Sequence, residues 1–299
     1  MAVANDIVLF GGLLLDRYFH IDRWPVRGQD GFFDREESFV GGCAINMAVT
    51  IHNLGGSAHV VSCLGNDLVS IEIRSYLTDH CLSQALIHST EGTTGSCLVF
   101  SEPEGERTFL THKGVEESFP SALDEKIQAI APVCAGVTGY YLLGEDAPQI
   151  LDCLEGLHTS GTRILFDPSP LVGDICPDLL SRILTICDVL TPNETELNVL
   201  GGTQAIPGFL QSGKVLILKR GAGGGTVYSP ESCFDYSAFP CESIDTTGAG
   251  DSFSGALLYA MAQEIPPLKG IELAAQCAAK TVKIRGPHGF WKLEESNNA

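Results

Sequence analysis

An α/β fold, with a mostly parallel sheet covered by helices on both faces and a small β appendage, is what this sequence predicts. Three observations carry the prediction. Beyond residue 136 short apolar runs alternate with helical stretches, the rhythm of strands joined by crossover helices. Earlier runs at residues 7–10 and 60–64 are short, apolar and followed by glycine, as buried strands are. Residues 12–39 are polar and turn-rich, and residues 93–114 carry a hairpin pattern; neither fits the sheet, so both are assigned to the appendage.

In order along the chain, Ile7-Val8-Leu9-Phe10 precedes Gly11-Gly12 and reads as the first strand, with Asp16 at its end. Gly41-Gly42 opens a helix in which Ala44, Met47, Ala48 and Ile51 recur at helical spacing, and Leu54-Gly55-Gly56 supplies a glycine C-cap. Strands at 96–101 and 107–111 flank the turn Glu102-Pro103-Glu104-Gly105. Further strands are expected at 137–143, 164–167, 189–191 and 215–219, and a late helix has the apolar face Phe253, Ala256, Leu257 and Ala260. The tail, 294–299, reads as disordered.

Composition narrows the function. The chain has 299 residues, 44% of them hydrophobic and 18% charged, a globular composition rather than a disordered one. Its 18 basic and 37 acidic residues give a net charge of −19, which repels polyphosphate backbones and anionic membranes. No nucleic-acid or membrane partner is therefore expected. Eleven scattered cysteines without a CxxC pair fit a reducing compartment. The first apolar run is too short to span a bilayer and is preceded by Asp6, so a cytoplasmic location is expected.

Two phosphate-loop patterns fail. Residues 208–215 nearly spell a P-loop, but Val215 stands where a magnesium-binding hydroxyl belongs and a strand follows instead of a helix. Gly248-Ala249-Gly250 lacks the third glycine of a dinucleotide fingerprint, since Phe253 occupies it.

The informative stretch is Asp245-Thr246-Thr247-Gly248-Ala249-Gly250-Asp251, which leads into the late helix. Small residues at 248–250 expose backbone N–H groups where the helix dipole also favours anions, and Asp251 sits beside them in the first turn, placed to take a proton from a hydroxyl. Taken alone, the same stretch fits an Asp-capped helix after a glycine turn. Asn46, one turn into the helix opened by Gly41-Gly42, sits off its apolar face and offers a donor and acceptors suited to sugar hydroxyls, or is a plain surface residue. Asn193-Glu194-Thr195-Glu196 follows a strand, where a carboxylate and an amide can organise hydrated magnesium or simply begin a helix. Lys219-Arg220-Gly221-Ala222-Gly223-Gly224 ends the next strand, either admitting a nucleotide or making a hairpin turn.

Together and in this order, these segments resemble the ribokinase-like (PfkB) family of carbohydrate and nucleoside kinases. Gly41-Gly42, Ala44, Asn46, Ala48, Gly55 and Gly65 match one family signature, and residues 245–251 match the other without departure. Gly139-Tyr140-Tyr141-Leu142 and Asp167-Pro168 are similar to further landmarks. The resemblance spans residues 8–291. It implies a single kinase domain over 1–299, a Rossmann-like three-layer α/β/α body with a β-sheet lid from about 12–40 and 93–113, the lid serving as a homodimer clasp. It implies Asp251 as catalytic base and Gly248, Ala249 and Gly250 as the anion hole. Asp16, Gly41, Gly42, Asn46 and Arg107 would bind substrate, and Asn193, Lys219, Gly221 and Gly224 would bind ATP. Asn193 and Glu196 would arrange Mg2+ through water; Asp245 and Thr247, with the loop 285–289, would hold a monovalent cation such as K+. Two departures stand out: Ser70 replaces a usual glycine, and Cys43 replaces a lysine found in some sugar kinases.

The implied activity is ATP-dependent phosphorylation of a hydroxymethyl group on a small sugar. A nucleoside kinase is the first rival, with Phe19, Phe32 and Phe39 as candidate base platforms. A sugar-phosphate kinase would need Arg17, Arg23, Arg27 or Arg107 as its cation, and a non-catalytic sugar sensor is the rival outside enzymes.

Overall fold

The computed structural model describes residues 5–102, 107–211 and 213–291. Most of the expected hairpin turn and the tail 294–299 lie outside the described residues. The chain runs β1 (Ile7–Phe10), β2 (Leu14–Ile21), β3 (Phe33–Gly41), α1 (Cys43–Asn53), β4 (Ala58–Leu64), α2 (Leu68–Asp79), β5 (Ile87–Ser89), β6 (Ser96–Ser101) and β7 (Arg107–His112). It continues through α3 (Ser121–Ile130), β8 (Cys134–Thr138), α4 (Ala147–Thr159), β9 (Arg163–Asp167), α5 (Pro177–Ile186), β10 (Val189–Leu190), α6 (Glu194–Val199) and α7 (Ile206–Leu210). The last elements are β11 (Val215–Lys219), β12 (Gly225–Tyr228), β13 (Cys233–Tyr236), α8 (Ala249–Ala262) and α9 (Pro267–Thr281).

Nine strands form one sheet in the order β13-β12-β11-β10-β9-β8-β1-β4-β5. It is parallel from β11 to β5, and β12 and β13 add an antiparallel edge. Side-chain alternation along β1 shows why the sheet needs two helical layers. Ile7 and Leu9 enter the core beneath α1, α8 and α9, whereas Val8 and Phe10 enter the core beneath α3, α4 and α5. All four are essentially inaccessible to solvent, so the strand is buried on both faces.

A second sheet, in the order β3-β2-β6-β7, is built from the two segments that did not fit the first. Two glycines let its root lie against the main body. A methyl at Gly41 would collide with the Asp16 carboxylate, and Gly42 combines φ +105° with an approach to the Gly12 carbonyl that no side chain could share. Ser70 is accommodated without strain. Its N–H donates to Asp67 Oδ1 at 3.0 Å and its hydroxyl to the Asp67 carbonyl at 2.7 Å, so it completes the start of α2.

Two expectations need correction. The strand expected at 137–143 is β8, three residues earlier, followed by a 3-10 turn at Gly139–Leu142. Small residues 134–136 give little strand signal, and a side chain at Gly139 would strike the Pro168 carbonyl, so the chain turns there. Asp16 does not end the first strand: it lies inside β2, paired with Phe39 on β3 and Cys97 on β6. The segments α2, β5, α3, α7, α9 and β13 were not anticipated, whereas the antiparallel β11–β12 pair makes the hairpin turn that residues 219–224 allowed.

Candidate active site

The carboxyl ends of the parallel strands and the N-termini of α1 and α8 meet on one side of the main sheet, where open α/β sheets bind ligands. A cavity of about 870 Å³ opens there, and its lining includes Thr138, Asp167, Asn193, Lys219, Gly224 and Asp251. Gly221 and residues 248–250 also line it. The hydroxyls of Thr138 and Ser169 are buried at its edge without a partner among the described residues, which leaves them for a ligand or water. A second cavity, of about 570 Å³, is lined by residues such as Pro132, Gly161 and Arg163 near the opposite strand ends, and it gathers no comparable set of charged groups.

Asp251 is the third residue of α8, whose N-cap is Gly248 at φ +75°. Its Oδ2 accepts a 2.7 Å hydrogen bond from Asn46 Nδ2. Burial, helped by the charge of Asp167, pushes its carboxyl up to about 6, while Asn46, Cys43 and Lys219 pull the other way. Asn46 is only 4% exposed, contrary to the surface position its spacing allowed. Its side chain reaches from α1 to α8, and the two helices are further tied by Thr50 Oγ1 donating to Ser252 Oγ at 3.0 Å. Of the three small residues before Asp251, Ala249 already donates its amide to Thr246 at 3.3 Å.

Lys219, at the end of β11, bonds Asp167 at the end of β9 at 2.8 Å, and Ser254 donates to the same Asp167 oxygen at 2.7 Å. Asn193 and Glu196 form a reciprocal cap on α6. Glu196 N donates to Asn193 Oδ1 at 2.9 Å, while the Glu196 carboxylate accepts from Asn193 N at 2.9 Å and Nδ2 at 2.8 Å. Among the described residues no cluster of three or more His, Cys, Asp or Glu could hold a metal alone. Asp167, Glu196 and Asp251 against the single Lys219 leave net negative charge, and Mg2+ ordinarily takes one or two carboxylates plus phosphate and water oxygens. The donor set fits that mode of binding.

The monovalent-cation expectation does not fit. Asp245 Oδ1 accepts from Thr247 N at 2.8 Å and from Arg107 at 2.9 Å, and its Oδ2 accepts from Gly286 N at 3.1 Å. Arg107 also donates to Thr247 Oγ1 at 3.0 Å. A guanidinium from the small sheet therefore occupies the place offered to a cation. Arg107, expected on the substrate, is held at Asp245 instead.

Three buried carboxyls titrate high: Asp251 near 6, Asp16 at about 7 through burial and the Asp251 charge, and Glu116 at about 8 through burial and Glu117. Each binds its proton more tightly folded than unfolded, so stability is greatest below their unfolded values and falls as pH rises through the folded ones. Thermal unfolding followed from pH 5 to pH 8 is expected to show Tm falling with pH. A Tm that rises across that window would contradict these environments.

Sequence reasoning did not single out Thr138 or Ser169; it gave Tyr140 only within a family landmark and His288 only within the loop 285–289 expected at a cation. Strand-end position was the available signal for the first three. The match to a family model settles the chemistry: residues 6–291 match the pfkB family carbohydrate kinase model. The chain belongs to the pfkB family of carbohydrate kinases. The kinase transfers phosphate from ATP to a hydroxyl of a sugar or nucleoside, as this family does. It is 28% identical to the uncharacterized sugar kinase YegV of Escherichia coli over 96% of this chain and 91% of that one. Its fold is similar to Arabidopsis thaliana ribokinase solved with ribose and ATP, at TM-score 0.82 and 23% identity over 95% of this chain and 94% of that one. The Methanocaldococcus jannaschii nucleoside kinase is equally similar in fold, at TM-score 0.82 and 20% identity over 96% and 95% of the two chains. No helix among the described residues of the kinase is long and apolar enough to cross a membrane.

Proposed function

We propose that the kinase phosphorylates a hydroxymethyl group of a small sugar, with Asp251 as the base. The observation that carries this reading is the Asp251 carboxylate, buried at the N-terminus of α8 and tied to Asn46, on the wall of a cavity shared with Lys219 and Asp167. With a pKa near 6 it is ionised at neutral pH yet basic enough to take the hydroxyl proton as that oxygen attacks the γ-phosphate. The amides of Gly248 and Gly250, at the start of α8, would oppose the negative charge that builds on the transferring group. Asp16, Gly41, Gly42 and Asn46, which lie outside the lining of that cavity, would contact the sugar; Asn193, Lys219, Gly221 and Gly224, which line it, would contact ATP. Glu196 and Asn193, with Asp167, would hold Mg2+ mainly through water, and the bound ion would neutralise charge on the phosphates. Closure of the small sheet as a lid would exclude water during transfer.

The aromatic residues that would favour a nucleoside are occupied or displaced. Phe19 packs on Phe33 and Phe100, Phe39 packs on Tyr18, and Phe32 is 86% exposed. Of the four arginines a sugar phosphate would draw on, Arg17 pairs with Glu36 and Arg107 with Asp245, while Arg23 and Arg27 are exposed on the small sheet's connecting loop. The test is ADP release from ATP–Mg2+ across pentoses, hexoses, sugar acids, sugar phosphates and nucleosides. Turnover with one neutral sugar supports the reading; turnover confined to nucleosides or to anionic sugars replaces it.

Residues 1–299 then act as one domain in the cytoplasm, and the exposed Phe32, Phe33, Phe109 and Leu110 of the small sheet fit a second copy of this chain. The mass of the full chain in solution tests that pairing. Because Arg107 fills the cation position, replacing K+ with Na+ is expected to leave turnover unchanged. Arg107→Ala frees Asp245 and is expected to make turnover respond to K+. A several-fold K+ activation of the wild-type enzyme would show that Arg107 leaves Asp245 during turnover.

A further inference from the structure

We propose that Tyr76 and His288 are positioning residues for Asp251: with Asn46 they form a directed chain of hydrogen bonds that aims an amide N–H at the carboxylate. The proposal builds on the reading of Asp251 as the base, but its test requires no turnover.

Chemistry at one end fixes the direction of every bond. An ionised Asp251 only accepts, so the 2.7 Å contact must come from Asn46 Nδ2. That turns Asn46 Oδ1 toward His288 Nδ1, 2.7 Å away. An amide oxygen also only accepts, so Nδ1 must carry the proton. The neutral ring then has a bare Nε2, which accepts from the Tyr76 hydroxyl at 2.6 Å. The chain runs Tyr76 → His288 → Asn46 → Asp251, from α2 through the loop after α9 and α1 to the first turn of α8.

The surroundings favour this arrangement. Burial, with His80 nearby, lowers His288 to about 4 and keeps the ring neutral; burial also raises the Tyr76 hydroxyl to about 12, so it stays a donor. The outer end is held by packing. His80 stacks on Phe290 with centroids 4.3 Å apart and planes 7° apart, and the Tyr76 ring lies 4.3 Å from His80. An amide side chain alone could rotate at Asp251; one anchored through a ring to a second helix is held in place.

Other groups also act on Asp251: Cys43 from α1, Asp16 from β2, Tyr140 after β8, Asp167 from β9 and Lys219 from β11. None of them is altered by substitutions at 76 or 288. Losing the anchored donor should therefore raise the Asp251 midpoint through the relay alone.

The test is NMR on the full-length protein labelled with 15N-histidine and 13C-aspartate, in which only eight histidines need to be assigned. His288→Asn and Asp251→Asn supply the assignments. His288 is expected as the neutral Nδ1–H tautomer down to about pH 5, and the Asp251 carboxyl carbon to titrate near 6. In His288→Ala that midpoint should rise by roughly half a unit to one unit, the size that losing one hydrogen bond to a charged acceptor can supply. His288→Asn, whose side-chain amide can place an N–H near the Nδ1 position, should restore most of it. Tyr76→Phe, which removes one part-buried hydroxyl, should shift it the same way by less and covers the case in which His288→Ala does not fold. The proposal is overturned by an Nε2–H tautomer, by His288 titrating near its ordinary value of about 6.5, or by an Asp251 midpoint unmoved in these variants. Silence across the sugar panel would overturn the small-sugar reading while leaving these titrations as they are.

Discussion

Asp251→Asn is expected to cut kcat by roughly 10²–10⁴-fold or more, the contribution of a positioned general base. The substitution keeps the shape of the side chain and an oxygen for Asn46 Nδ2 to donate to, so the α1–α8 contact and substrate KM should change little. The remaining rate would come from the amides of Gly248 and Gly250 and from positioning, which do not need the carboxylate. The wild-type enzyme should lose kcat/KM as pH falls through about 6, because protonated Asp251 cannot accept the hydroxyl proton. That acidic limb should vanish from the residual rate of Asp251→Asn. Kinetics at saturating ATP–Mg2+ with the sugar identified in the panel check both effects. Near-normal turnover in the variant would remove Asp251 from the mechanism.

The segments most legible in the sequence are those whose chemistry is local. Residues 245–251 combine small residues, a turn and a helix start within seven positions, and the backbone realises them as one helix N-terminus. The glycines at 41 and 42 were legible for the same reason, since a close backbone approach leaves a mark on the residue making it. The polar contacts were not legible. Asn46 and Asp251 are 205 positions apart, His288 and Asn46 are 242 apart, and Lys219 and Asp167 are 52 apart. Each pair is made by the topology of the sheet, which no local spacing encodes. Arg107 shows the limit most clearly. Its place on a hairpin over the site suggested a substrate contact, yet the register of β6 and β7 delivers it to Asp245 and Thr247. The strand misplaced at 137–143 failed in another way. Tyr140, Tyr141 and Leu142 have the composition of a strand, yet they form a 3-10 turn where Gly139 lies against the Pro168 carbonyl.

Gly248→Ala is the second substitution with a large expected effect, and it separates conformation from charge. Gly248 holds φ +75°, a region that costs an L-residue about 1–2 kcal/mol. A methyl there would also collide with the Pro287 carbonyl oxygen, so the helix start and the loop after α9 cannot both keep their places. Moving the helix start displaces the amides that face the phosphoryl group, and a shift of about 1 Å in such a site is enough for a 10²-fold loss. Moving the loop instead displaces His288, the next residue after Pro287, and with it the hydrogen bond that reaches Asp251 through Asn46. Either response lowers kcat by roughly 10²-fold or more, and Tm falls as well. Gly250→Ala is the matched control. Its added Cβ meets nothing closer than Lys219 Nζ at 3.7 Å, so Tm should hold. That methyl nevertheless stands beside Lys219 in the space the phosphates need, so kcat should fall without a stability change. Measuring Tm and kcat for the pair decides the matter: equal Tm losses would mean that the left-handed turn at Gly248 is not what sets the position of the helix start.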